Sequence, residues 1–271
     1  MPTIEERLIQ INLKIKRAKH HIEDLQAEIL RFKDGEPYQV ATKQQADTGK
    51  LVYYVSRVNP VPDCFALIAA DAIQNLMSAL DHLAYQIVCS DTTDSPPNPN
   101  WIYFPIADDA AKYETKKHGK MEGARQESFD AIDFLKPYKG GNDLLWTLYR
   151  LNNIEKHRLL LTVGSNHASI NFGQIAARYS PSAPEWAIDM FQKASWFIQV
   201  GDGGFPLKEG HELYVGAVGE KPDLKQQFSF GIALDEPGII KSQSLLETLH
   251  QLSTLVEGII ASLTPRLIST P

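Results

Sequence analysis

Apolar residues recur at alternating steps of four and three from the start of the chain: Ile4, Leu8, Ile11, Ile15, Ala18, Ile22, Leu25, Ile29 and Phe32. A period of about 3.5 is that of a coiled-coil-like seam. It predicts a helix over about 3–33 that stops before Gly35 and Pro37. Leu245, Leu249, Leu252, Val256, Ile259 and Leu263 repeat the pattern near the other terminus. There Ser244 and Glu247 make a capping-box start and Pro265 a stop. Two such seams can bury each other inside one bundle; the alternative is a homodimer through the N-terminal helix.

Between them the pattern changes several times. Tyr38–Thr42 and Leu51–Val58 are strand-like, with Asp47-Thr48-Gly49 as a hairpin turn. A helix over about 63–89 carries the stripe Phe65, Ala69, Ala72, Leu76, Ala79, Leu83 and Ile87. Lys112 to Arg125 reads as a solvated basic loop, and a short helix follows around Glu127 to Leu135. After Gly140-Gly141, Asn142 caps a further helix that ends near Gly164. From about 165 to 235 the chain turns to strands: Ser169–Phe172, Trp196–Val200, Glu212–Val215 and Phe228–Ile232. The class is therefore α+β: a four-helix bundle in one domain over 1–271. The bundle takes about 1–35, 60–164 and 240–268, with β insertions at about 37–58 and 165–235.

A second stripe on the 63–89 helix is polar. Asp71, Asn75, Ser78 and His82 fall at steps of four, three and four, with Asp81 adjacent. They share a face about 100° from the apolar stripe, so they border the core. Such a row is either a ligand-binding groove, with His82 as acid or base and Asp81 nearby, or a hydrogen-bond network that fixes packing. A second constellation lies at Arg150-Leu-Asn-Asn-Ile-Glu-Lys-His157-Arg158. Trp146, Arg150, Asn153 and His157 share a helical face. An imidazole with Arg150, Lys156 and Arg158 is the equipment of phosphoryl transfer; a solvated face is the plain alternative. The two polar faces are expected to meet across the bundle, because burying either alone is unfavourable. Lys14, Lys16, Arg17, Lys19, His20 and His21 form a basic run that solvation explains.

Composition narrows the classes. The 271 residues are 43% hydrophobic and 22% charged, with a net charge of −6. An acidic surface disfavours non-specific nucleic-acid binding, although a local basic patch can still engage RNA. No apolar run approaches the roughly 18–20 residues of a membrane span, and no signal-peptide order is present. Cys64 and Cys89 would lie roughly 37 Å apart on one helix, beyond disulfide reach, which fits a cytoplasmic setting. The spacings support neither a metal nor an organic cofactor: no HExxH, CxxC, P-loop or G-x-G-x-x-G is present.

Asn75-Leu-Met-Ser-Ala-Leu-Asp-His-Leu-Ala84, Phe104-Pro-Ile106, Leu135-Lys-Pro-Tyr138 and Leu151-Asn-Asn-Ile-Glu-Lys-His-Arg158 together resemble a group of uncharacterised bacterial proteins. These carry N-L-R-S-A-L-D-H-L-A, F-P-I, L-Q-P-Y and D-K-H-R in the same order. The chain departs at Met77, where the group has Arg, and at Glu155, where it has Asp. More broadly it is similar to HEPN domains, helical bundles that include metal-independent ribonucleases; Arg150 and His157 match their Arg-then-His spacing. Two functions follow as expectations. One is a non-catalytic module that binds a protein or small molecule. The other is a ribonuclease or other phosphoryl-transfer enzyme, using His157 or His82 with Arg150, Lys156 and Arg158.

Overall fold

The computed structural model describes residues 3–157, 161–171, 182–187, 190, 197–198, 204–218 and 228–267. Helix α1 spans Ile4–Asp34. Thr3 and Glu6 close a reciprocal capping box at its start, and Gly35 ends it. Of the nine seam positions, Ile11, Ile15, Ala18, Ile22, Leu25 and Ile29 are buried; Ile4, Leu8 and Phe32 pack at the edge of the same core. The partners are α2 (Cys64–Asp91) and the last helix, here α6 (Leu245–Leu263). Every predicted stripe residue of α2 and α6 is almost fully buried. The fourth bundle member, α5 (Asp143–His157), packs on α2 and α6 and starts where Asn142 Oδ1 accepts the Leu145 N–H at 3.0 Å. The seam is thus satisfied within one chain.

By length and composition, α2 is also the one described helix apolar enough to cross a membrane. More than half of its most apolar window is packed inside the molecule, as in a core helix. Cys64 and Cys89 sit in its first and last turns and are both free.

Between α2 and α5 lie α3 (Ala110–Lys120) and α4 (Gln126–Asp133). Here the sequence reading needs correction, because much of the basic segment is helix rather than loop. Asp109 caps α3 by accepting the Lys112 N–H at 2.7 Å. Most of its cations are neutralised locally. Lys117 is buried against Asp133 and Glu114, Lys112 faces Asp108 and Asp109, and Arg125 clasps the buried Asp91.

The hairpin β1 (Tyr38–Gln44) and β2 (Lys50–Val58) forms as predicted, turning at Gly49 with φ +68°. It does not stand alone. Strand β5 (Glu212–Val218) adds antiparallel to β2, giving the order β1-β2-β5. The second sheet has the order β4-β3-β6-β7: β4 is Phe197–Ile198, β3 Val163–Asn171, β6 Phe228–Glu236 and β7 Ile240–Ser244. Two boundaries move. The apolar run after α5 feeds β3 from Val163, and 240–244 is a strand leading into α6. Ile232, Leu234 and Ile240 join the bundle core, and the Tyr38 and Ser165 hydroxyls bond at 2.8 Å between the sheets. Phe172, Trp196, Gln199 and Val200 of the predicted strands lie outside the described residues.

Candidate ligand cleft between the first two long helices

The polar stripe of α2 runs beside α1. Asp71 lies in the field of His21, His82 in that of Lys14, and Gln86 accepts from Arg7 at 3.0 Å. The helices are therefore antiparallel, and the register brings a matching row from α1 against the stripe: Arg7, Gln10, Lys14, Arg17 and His21, at steps of three and four. Around His82 this junction opens into a cavity of about 550 Å³. Glu6, Arg7 and Gln10 line it from α1; Asp81, His82, Tyr85 and Gln86 line it from α2; Ile102 closes it. A volume of this order suits a small molecule.

Its charges are arranged unevenly. Arg7 is buried; its Nη2 donates to Asp94 Oδ1 at 2.7 Å and its Nη1 to Gln86. Its Nε is buried with no hydrogen-bond partner among the described residues. Glu6 Oε2 accepts the Thr3 N–H at 2.7 Å. Asp81 Oδ1 accepts the Phe104 N–H at 2.9 Å. Burial, helped by the Lys14 ammonium, holds the His82 imidazole below its ordinary 6.5, so it is neutral at neutral pH. Burial also pushes the Cys89 thiol up, and its hydrogen bond with Tyr85 raises that phenol. The wall thus combines a neutral imidazole, two amides, a phenol and two carboxylates. It can donate to and accept from one ligand.

The other predicted site residues sort as follows. Asn75 Nδ2 donates to the Asp71 carbonyl at 2.8 Å, one turn back along its own helix. Asp71 is exposed, and Asn75 and Ser78 are half-buried at the α1 border. Asn153 is half-buried on α5. Arg150 is not among the residues that line the cleft: its Nη1 reaches Asp108 Oδ1 at 3.4 Å, and its guanidinium lies 5.9 Å from the Trp146 ring centre. Lys139 lies 4.5 Å from the same ring centre. The side chains of Lys156 and His157, and the whole of Arg158, lie outside the described residues, although α5 runs to His157. The expectation that His82 would meet the α5 constellation takes a different form. No described α5 side chain lines the cavity, and those of Lys156 and His157 lie outside the described residues.

The motif segments also explain one another. Asp81 holds Phe104; the Tyr103 N–H donates to the Lys120 carbonyl at 3.0 Å; Lys120 Nζ donates to the Ile106 carbonyl at 2.9 Å. The Ala107 N–H then donates to the Pro137 carbonyl at 3.1 Å. The Phe-Pro-Ile strap is thereby stitched to α2, α3 and the Leu-Lys-Pro-Tyr turn. It also delivers Ile102 to the cavity.

Sequence reasoning missed Glu6, Arg7, Gln10, Tyr85, Gln86 and Ile102. The α1 row was detectable, since it keeps the step of the seam one residue to its side. Ile102 carries no local signal, because only the tertiary strap places it. A second cavity, of about 700 Å³, lies among β6, β7 and the first turns of α6 and contains none of the predicted site residues. Among the described residues no three His, Cys, Asp or Glu side chains are grouped closely enough to hold a metal ion. No family model, curated protein or solved structure matches the chain.

Proposed function

We propose that the protein is a non-catalytic, HEPN-like binding module of the bacterial cytoplasm that takes a small polar ligand in the cleft between α1 and α2. The observation that supports this reading is the separation of the phosphoryl-transfer parts. His82 faces a cavity walled by amides, carboxylates and a phenol, whereas Arg150 is engaged by Asp108 and Trp146. A guanidinium so engaged is poorly placed to stabilise charge at His82. The motif resemblance motivates the bacterial and HEPN-like parts of the proposal, and the unpaired cysteines fit a reducing compartment.

The test is to fill the cavity. Gln10→Trp should abolish the thermal stabilisation that a panel of small polar metabolites gives the wild-type protein, while the unliganded variant keeps its fold. If stabilising compounds act equally on both proteins, the cleft is not the binding site.

One observation favours the alternative, a metal-independent ribonuclease: His82 is neutral at neutral pH, as a general base must be, and stands next to Asp81. Incubation with single-stranded RNA and a chelator decides between them. Cleavage by the wild type that is lost in His82→Ala or His157→Ala, at unchanged melting temperature, would replace the binding reading with the nuclease.

A further inference from the structure

The described cations of α1 are not equivalent. Arg7 pairs with Asp94, Lys19 with Glu257 and Arg31 with Glu28. Lys14, Lys16, Arg17 and Lys33 have no ion pair or hydrogen bond among the described residues, and of these Lys14 and Arg17 continue the row that lies against α2. These two stand one turn apart on the wall that faces α2, and Lys14 is itself one turn beyond Gln10 of the cavity. Lys14 is half-buried and Arg17 exposed. Each bears on an imidazole, Lys14 on His82 and Arg17 on His21. Placing unpaired cations beside desolvated imidazoles is unfavourable in the empty protein, and an anion between them relieves it.

The opposite end of the cleft has the reverse character. Glu6 lies eight residues before Lys14, about 12 Å along the helix axis. Arg7 is there but already neutralised by Asp94. Glu6 accepts the Thr3 N–H and Asp81 the Phe104 N–H. Gln10 and Gln86 supply amides, and Tyr85 and Ile102 supply apolar surface. The titratable groups around His82 are thus Lys14, in whose field it lies, and Glu6, Arg7, Asp81 and Tyr85, which line the same cavity.

We propose that the cleft binds a phosphate monoester, its phosphoryl group held by Lys14, Arg17 and His82 and its hydrogen-bonding body seated between Gln10, Gln86 and Tyr85. This rests on the reading of the cavity as a ligand site and names the ligand class. A ligand dianion matches these two cations, and amide or amine groups on its body match the Gln10 and Gln86 side chains. Binding of the dianion also draws a proton onto His82, so affinity rises as the pH is lowered from 8 to 7, above the range in which the ligand itself, with a second pKa of about 6, takes up a proton.

The experiment follows the histidine ring signals by NMR during titration with inorganic phosphate, adenosine 5′-monophosphate and adenosine, in 150 mM salt with sulfate as a control. The monophosphate should saturate, shift His82 and bind at least about tenfold more tightly than inorganic phosphate, and Lys14→Ala should weaken it by about tenfold or more. Lys14→Glu should abolish it. Lys14 has no ion pair or hydrogen bond among the described residues, so neither variant should lower the melting temperature. Non-saturating shifts that sulfate reproduces, spread over surface lysines, mean an adventitious ion only and overturn the proposal. If the phosphates fail but neutral compounds bind the wild type and not Gln10→Trp, the phosphate assignment falls and the binding module stands. If nothing reaches the cavity, both fall.

Discussion

At the scale of single residues, His82 and Asp81 carry different burdens. The His82 imidazole titrates below 6.5 when folded, chiefly from burial, so between that lower value and 6.5 the unfolded chain binds more protons than the folded one. Stability is then complete above about pH 7, falls as the pH drops through 6.5, and levels once the folded group is also charged. His21 adds a slope of the same sign. In urea unfolding across pH 5–7.5, His82→Gln should lose part of this slope and keep the His21 share; identical slopes would rule out the assignment. Asp81 holds the N–H of Phe104, a residue only 1% exposed. Asp81→Ala should cost about 1–3 kcal/mol, and Asp81→Asn, which keeps an acceptor, should cost less. A fully stable Asp81→Ala would show that the strap does not depend on that bond. The α2 half of the cleft was legible because a polar row at helical spacing departs from the core pattern. The α1 half keeps the step of the seam, so its position was legible, but its role was not, because a basic run on a surface helix looks the same whether its charges meet water or a ligand.

At the scale of elements, helices were read more accurately than strands, and the cause is the length over which each pattern repeats. The seams of α1, α2 and α6 repeat for many turns, and all of their predicted positions except Ile4, Leu8 and Phe32 are buried. Leu252→Ala, at a position with no exposure, should therefore lose about 2–5 kcal/mol. Leu13→Ala, at a position 60% exposed on the outer face of α1, should stay within about 0.5 kcal/mol of wild type. Equal losses in urea unfolding would mean that the two faces are misassigned. The run Leu159-Leu-Leu-Thr-Val163 is too short to declare a period, so the local pattern extends the helix over residues that begin β3. The Leu-Lys-Pro-Tyr turn needs its glycine for a reason no period records: a Cβ on Gly141 would come within 2.6 Å of the Lys136 carbonyl oxygen. Gly141→Ala should lower the melting temperature and loosen the Ala107 bridge to Tyr138, visible as faster amide exchange at Ala107. Unchanged exchange there would mean that the turn yields without strain on the strap.

At the scale of the whole molecule, pairing between distant segments decides what local patterns cannot. The sequence proposed a hairpin and a later sheet, but β5 leaves its neighbours in sequence to complete the hairpin's sheet, and nothing within β5 announces that choice. With the N-terminal seam buried by α2 and α6, a homodimer would need another surface, such as the outward Ile9 and Leu13. Light scattering should then give one mass for wild type and for Ile9→Lys/Leu13→Lys, that of a 30.3 kDa monomer. A wild-type dimer dissociated by the double substitution would place the interface on that face. The same closure of α1 on α6 has a consequence for biosynthesis. As the nascent chain leaves the ribosome, α1 and α2 emerge early and can pair, but the surface reserved for α6 stays apolar and wet until residues 245–263 appear. The free edge of β2 likewise waits for 212–218. The young polypeptide thus carries both a sticky helix face and an open strand edge through most of its translation, which is the kind of client that chaperones hold.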